Sequence, residues 1–248
     1  MNALIGQTGF VGGNLARQMP FDAAFSSRDI GGIRGQRFGT IVCAGAYAAK
    51  WKANQDPQAD RDSLEKLIAP LREVECERFV LISTVDVYER PVEVDESVAP
   101  DATHAYGRHR RELEEFAASR FPDCYVLRLP GLFGPGLKKN VLYDLLHDNQ
   151  VERIHPDGVF QYYSLNHLGA DIGRAVANGW RVLNVATGPI PTRELALRCF
   201  GRELSAYPAG TAPARYDFRT RYAPSGYLYD KAQVIRELSE FVAAERAL

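Results

Sequence analysis

The chain has 248 residues, 46% hydrophobic and 25% charged, so it is too long and too apolar for a disordered tail and long enough to bury a full core. Lys+Arg 30 against Asp+Glu 31 gives a formal net charge of −1. That balance argues against nucleic acid or an anionic membrane surface as a main partner, and no apolar run approaches the roughly 18 residues of a membrane span.

Met1-Asn2-Ala3-Leu4-Ile5-Gly6 reads as a strand from the first residue, with no basic segment leading into an apolar one, so no export signal is expected. A helix follows over 13–19, stopped by Pro20, then strands over 23–26 and 40–44. Leu64, Leu67, Ile68 and Leu71 stand at helical spacing within 63–74, where Pro70 is expected to kink or divide the helix. Residues 79–82 read as a buried strand. Residues 106–120 read as a charged helix with Leu113, Phe116 and Ala117 on its apolar face, and 125–127 as another strand. Strands that are apolar throughout, alternating with helices, predict an α/β fold: a doubly wound parallel sheet of about seven strands, covered on both faces.

After about Gly131 the order breaks into shorter pieces. Helices are expected over 141–147, 168–177 and 193–200, and a strand over 182–185. Residues 207–224 read as irregular, and 229–247 as a closing amphipathic helix. The whole chain, 1–248, reads as a single unit. Its sheet core covers about 1–130 plus later strands. A small carboxy-terminal substrate lobe, mainly 131–170 and 186–228, is expected over the ligand edge.

Cys43, Cys76, Cys124 and Cys199 are scattered, which argues against a disulfide framework or zinc site and for a reducing, cytoplasmic setting. His104, His109, His147, His155 and His167 lack metal-ligand spacing, so no metal is expected.

Gly6-Gln7-Thr8-Gly9-Phe10-Val11-Gly12 follows a strand and opens a helix. Glycines there permit a tight turn and let a pyrophosphate approach backbone N–H groups, the behaviour of a dinucleotide site. The end of the second strand reads Ser26-Ser27-Arg28-Asp29. Ser27 and Arg28 suit a 2′-phosphate and favour NADP. Asp29 is the argument for NAD, because NAD enzymes place an acid near this point for the ribose.

With these pieces in order, the chain resembles the extended branch of the short-chain dehydrogenase/reductase superfamily, the nucleotide-sugar epimerases, dehydratases and reductases. The glycine turn is similar to theirs. Ala44-Gly45-Ala46 resembles their segment beside the cofactor, and Ser83-Thr84-Val85-Asp86-Val87-Tyr88 resembles their strand end. Tyr106 opens a helix as their catalytic tyrosine does, and Arg128 to Gly136 resembles their Gly-Pro-Gly loop. Asn184-Val185-Ala186, with Glu194-Leu195-Ala196, is similar to a late family stretch. The chain departs at Arg110, where the family's Tyr-x-x-x-Lys has lysine. It departs again at Gly131, where many members carry Asn, and at Asn166-His167, often Asp-Asp.

The resemblance implies a Rossmann-like fold and NAD(P)-dependent chemistry on a small molecule such as a sugar nucleotide. It implies Thr84, Tyr106 and Arg110 as catalytic residues. It implies Gly6, Thr8, Gly9, Phe10, Val11, Gly12, Ser27, Arg28, Ala44, Gly45, Ala46, Tyr106, Arg110, Pro130 and Leu132 at the cofactor. Asp86, Lys138 and Lys139 are candidates for substrate contact. A tyrosine with a pKa of about 10 transfers protons near neutrality only if a cation lowers it; at about 4 Å and an effective dielectric near 20 that attraction is on the order of 4 kcal/mol. Arg110 supplies charge and holds ribose but relays no proton. A second reading is a cofactor sensor that kept the fold and lost the chemistry. A homodimer through the 63–74 and 106–120 helices is also implied by the resemblance.

Overall fold

The computed structural model describes residues 1–205 and 212–247. In chain order the elements are β1 (Asn2–Ile5), α1 (Phe10–Leu15), β2 (Ala23–Phe25), β3 (Arg37–Cys43), α2 (Lys50–Gln55), α3 (Pro57–Leu71), β4 (Glu75–Thr84), α4 (Ala105–Arg120) and β5 (Cys124–Leu129). There follow β6 (Gly131–Phe133), α5 (Val141–Leu146), β7 (Val159–Phe160), β8 (Tyr162–Ser164), α6 (Leu168–Ala177) and β9 (Val182–Asn184). The chain closes with β10 (Ile190–Pro191), α7 (Thr192–Phe200) and α8 (Lys231–Arg246).

The chain divides into two compact units. The first comprises Met1–Glu89, Ala99–Arg128 and Asn166–Leu183; the second comprises Arg90–Val98, Leu129–Leu165 and Asn184–Leu248. The first is built on a sheet of order β2-β1-β3-β4-β5-β9, six strands among the described residues rather than about seven. β1 runs parallel to β2 and β3, and β3 to β4. Ile5, Cys43 and Leu81 stand abreast in the register. The segments that follow β1, β3 and β4 therefore leave the sheet at one edge, where α/β folds bind their ligands. This is the mostly parallel, Rossmann-like α/β sheet expected from the strand–helix alternation.

Ile41, Phe79 and Leu81 meet Leu64, Leu67 and Leu71 of α3 and Leu113 and Ala117 of α4 in one core. Phe79 stacks on Phe121 with ring centroids 4.1 Å apart. The apolar stripes of α3 and α4 are thus spent on their own sheet. α3 starts six residues earlier than the periodicity suggests. Asp56 caps it by accepting from Ala59 N–H at 3.0 Å, and Pro57 sits at the first turn, where a missing N–H is harmless. Pro70 does not divide the helix as expected. It falls in the last turn, one residue from the end, so there is almost no helix beyond it to kink.

In the second unit β6 pairs with β8 in parallel and β7 with β10 antiparallel. The Gln161 side chain ties this unit together. Its amide donates to the Thr187 and Phe218 carbonyls at 2.5 and 2.9 Å and accepts from Phe218 N–H. Gly131 lies against the same residue: a Cβ there would meet the Gln161 carbonyl oxygen at 2.9 Å. Of the irregular stretch expected over 207–224, residues 207–211 lie outside the described residues, and 212–224 form only isolated bridges. No helix among the described residues is long and apolar enough to cross a membrane.

Candidate active site

The turn after β1 is shaped by backbone contacts. Gly6 N–H donates to the Phe25 carbonyl at 2.7 Å and adopts φ +90°, and a Cβ there would meet the Ala44 carbonyl oxygen at 2.4 Å. A Cβ at Gly12 would meet the Gly6 carbonyl oxygen at 2.1 Å, so the third glycine lets α1 pack onto the turn. Gly9 differs. Its Cβ would meet only the Gly6 carbonyl oxygen, at 3.2 Å, and Gly9 and Thr8 are exposed. The first and third glycines are required by the fold, and the second leaves the turn open, which is the shape a pyrophosphate cradle needs. Phe10 and Val11 begin α1 and are half-buried.

Beside it, Ala44 N–H donates to the Ile5 carbonyl at 2.9 Å, and Gly45 lies over Ile5 and Leu67, leaving no room for a side chain. At the end of β2 the Asp29 carboxylate turns back to accept from Ser26 N–H at 2.5 Å and Ser26 Oγ at 3.0 Å. The Ser26 bonds hold the Asp29 carboxyl below its ordinary value. Ser27 and Arg28 line a cavity of about 540 Å³ together with Ile30, Arg34, Lys66 and Pro70. Asp62 and Glu65 add acid to its wall, and Arg34 is paired with Glu73.

The polar cluster lies at the ends of β4 and α4. A Cβ at Gly107 would meet the Asp86 carbonyl oxygen at 2.1 Å, so the first turn of α4 is pressed against the backbone just past β4. That contact brings Tyr106 near Thr84, whose hydroxyl favours the ionised phenol. Thr84 Oγ also accepts from Asp86 N–H at 3.2 Å and lies 3.5 Å from Asp86 Oδ2. Lys50 Nζ donates to Asp86 Oδ1 at 2.8 Å, and Asn54 Oδ1 accepts from Tyr106 N–H at 2.9 Å. His104 caps α4 through Nδ1, which accepts from Gly107 N–H at 3.1 Å.

Arg110 is buried and engaged. Its guanidinium donates to both Asp60 oxygens, at 2.8 and 2.9 Å, and to the Tyr47 carbonyl. His109 Nδ1 lies 2.8 Å from the same carboxylate. Burial alone would raise the Asp60 carboxyl, but hydrogen bonds from Arg110 and His109 hold it below the ordinary range. Arg110 also stacks on Tyr106, 4.4 Å from Cζ to ring centroid. Burial pushes the phenol above its ordinary value; the Arg110 charge opposes this, Asp86 adds to it, and the Thr84 hydroxyl opposes it again. The phenol is therefore neutral at physiological pH, in the form that donates a proton.

Pro130, Leu132, Lys138 and Lys139 belong to the second unit. Leu132 lies in β6, where its carbonyl accepts from Asn140 Nδ2 at 2.9 Å. Both lysines are exposed in the turn before α5. Sequence reasoning missed Lys50, Asn54, Asp60 and Gly107. The Asp56-Pro57 cap signal gives the helix that carries Asp60, but nothing in the sequence pairs it with Arg110.

No protein-family model matches this chain, and no curated protein matches it by sequence. Solved structures do match. The dTDP-4-dehydrorhamnose reductase of Bacillus anthracis, in complex with NADP, is 16% identical, with a TM-score of 0.73 over 98% of this chain and 97% of that one. UDP-glucose 4-epimerase of Thermotoga maritima, with UDP-glucose, is 16% identical, with a TM-score of 0.71 over 100% and 99%. A double mutant of the dTDP-glucose 4,6-dehydratase of Streptomyces venezuelae, with NAD bound, is 16% identical, with a TM-score of 0.75 over 99% and 97%. These neighbours are extended short-chain dehydrogenase/reductase enzymes, the group whose motifs the sequence resembles, and this chain has their fold.

Proposed function

We propose that the protein is an NADP-dependent reductase, epimerase or dehydratase acting on a sugar nucleotide or a related hydroxy or keto compound. The observation that carries this reading is Tyr106 beside Thr84 at the sheet edge that also bears the open Gly6–Gly12 turn. The neighbours with NADP, NAD and UDP-glucose support the cofactor and the substrate class. Gly9 and the surrounding turn hold the pyrophosphate. Ala44, Gly45 and Ala46 wall the cofactor site. Ser27 and Arg28 take the 2′-phosphate, since Asp29 is drawn back to Ser26; NAD is the alternative cofactor.

When bound, the nicotinamide supplies or accepts the hydride. Tyr106 gives its hydroxyl proton to the substrate oxygen and takes it back in the reverse direction. Thr84 hydrogen-bonds that oxygen as charge develops. Arg110 holds the Tyr106 ring, and Asp86 contacts substrate. The four free thiols suit a reducing cytoplasm. A homodimer through α3 and α4 uses the faces their buried stripes leave over.

The test is loss of reduced-nicotinamide absorbance when NADPH and a panel of keto-sugar nucleotides meet the purified protein. Tyr106→Phe should abolish turnover and leave NADPH binding nearly unchanged. A second reading, the cofactor sensor, is favoured by one observation: the Arg110 cation is already spent on Asp60. NADPH binding without turnover of any substrate in the panel would favour it.

A further inference from the structure

We propose that Lys50 is a positioning residue for the Tyr106 proton, acting through Asp86, so that α2 as well as α4 brings a cation to bear on this phenol. The inference rests on the reading of Tyr106 as the proton donor of the site.

Two cations stand near Tyr106, and their circumstances differ. Arg110 lies over the ring rather than at the hydroxyl, and it is paired with both oxygens of buried Asp60. Lys50 faces Asp86, the carboxylate 3.5 Å from the Thr84 hydroxyl and one of the charges that raise the phenol pKa. An unpaired carboxylate at that place disfavours a tyrosinate, and an ammonium on it removes the penalty. The Asp86 side chain is 16% exposed and that of Lys50 41%, so the pair joins the inner site to water.

α2 also acts on Tyr106 by a second route. Asn54, one turn beyond Lys50, accepts the Tyr106 N–H. Positions four apart share a helix face, so one face of α2 holds both the backbone of the tyrosine and the carboxylate beside its hydroxyl. The charged and titratable groups around Tyr106 are Asp86 after β4, Lys50 on α2, Asp60 on α3, and His104, His109 and Arg110 at α4. Of these, Asp60, His109 and Arg110 form one buried cluster. His104 is bound as the helix cap, and burial and the nearby Lys50 charge push its pKa down. Lys50 and Asp86 are the remaining pair. In the proton transfer the Tyr106 O–H bond breaks, an O–H bond forms on the substrate oxygen, and water later re-protonates the tyrosinate. Lys50 keeps Asp86 from opposing the anionic interval.

The test places difluorotyrosine at position 106 of the full chain, because the fluorines bring the phenol titration into an accessible range. Fluorine NMR then follows the titration midpoint, with and without NADP. Lys50→Met should raise the midpoint by about one pH unit, and Lys50→Arg should return it toward the parent. Asp86→Asn should lower it. The double variant Lys50→Met/Asp86→Asn should lose the rise, since no carboxylate is left to neutralise. An unmoved midpoint in Lys50→Met, or a rise that persists in the double variant, overturns the proposal. Because the titration needs no turnover, a coupled Lys50–Asp86–Tyr106 set in a protein that reduces nothing would refute the proposed enzyme and leave the electrostatic link standing.

Discussion

The two ends of the first unit's ligand edge are built from different materials. The glycine turn is made of backbone: Gly6, Gly12 and the Ala44 carbonyl press together within 2.1 to 2.4 Å of where side chains would be. The tyrosine end is made of side chains from α2, α3, α4 and the segment after β4, tied by the Asp60–Arg110 and Lys50–Asp86 pairs. Backbone geometry of this kind depends on a few adjacent residues. Charge pairing depends on residues 36 to 50 positions apart. Changes at the tyrosine end should therefore cost stability as well as chemistry, and a change at Gly9 should cost ligand binding alone.

The largest effect is expected at Asp60. Asp60→Asn leaves Arg110 buried with a neutral partner, and breaking a buried pair from one side costs roughly 3–5 kcal/mol. Urea unfolding measures it. The pH dependence gives a second reading. The Asp60 carboxyl is held low in the folded protein, so its contribution is complete above the unfolded value of about 3.9 and is lost as pH falls through the lower folded value. The parent should lose this increment in acid, and Asp60→Asn should lack it. Identical acid limbs in the two proteins would contradict the assignment.

Gly107 comes next. Gly107→Ala sets a methyl 2.1 Å from the Asp86 carbonyl oxygen, so α4 must withdraw. An overpacking cost of about 1–3 kcal/mol is expected, with a larger loss of turnover than of NADPH affinity, because Tyr106 moves and the glycine turn does not. Equal losses of both would blur the separation between the two ends.

Legibility in the sequence follows the same division. The strands are short apolar runs and the turn is a local glycine pattern, so both are visible in a single stretch of residues. Tyr106 is visible as a helix start after the Thr84 strand end. α2 is only six residues long, too short to show a period, and Lys50 and Asn54 went unread with it. The first turns of α3 carry no apolar repeat, which hid Asp60. Arg110 was legible as a cation one turn from Tyr106, but that its Nη1 and Nη2 both donate to Asp60 is a tertiary fact. Gly107 looks like an ordinary helix residue until the chain past β4 arrives against it.

The chemistry at this edge turns on where the dinucleotide sits. Calorimetric titration of NADPH and NADH into the parent and into Gly9→Val tests it. A Cβ at Gly9 meets only the Gly6 carbonyl oxygen, at 3.2 Å, and projects from the open side of the turn. The parent should bind NADPH more tightly than NADH, and Gly9→Val should lose NADPH affinity by about tenfold or more, a difference of about 1.4 kcal/mol, with an unchanged unfolding midpoint. A folded Gly9→Val that binds NADPH as tightly as the parent would contradict the placement of the cofactor on this turn.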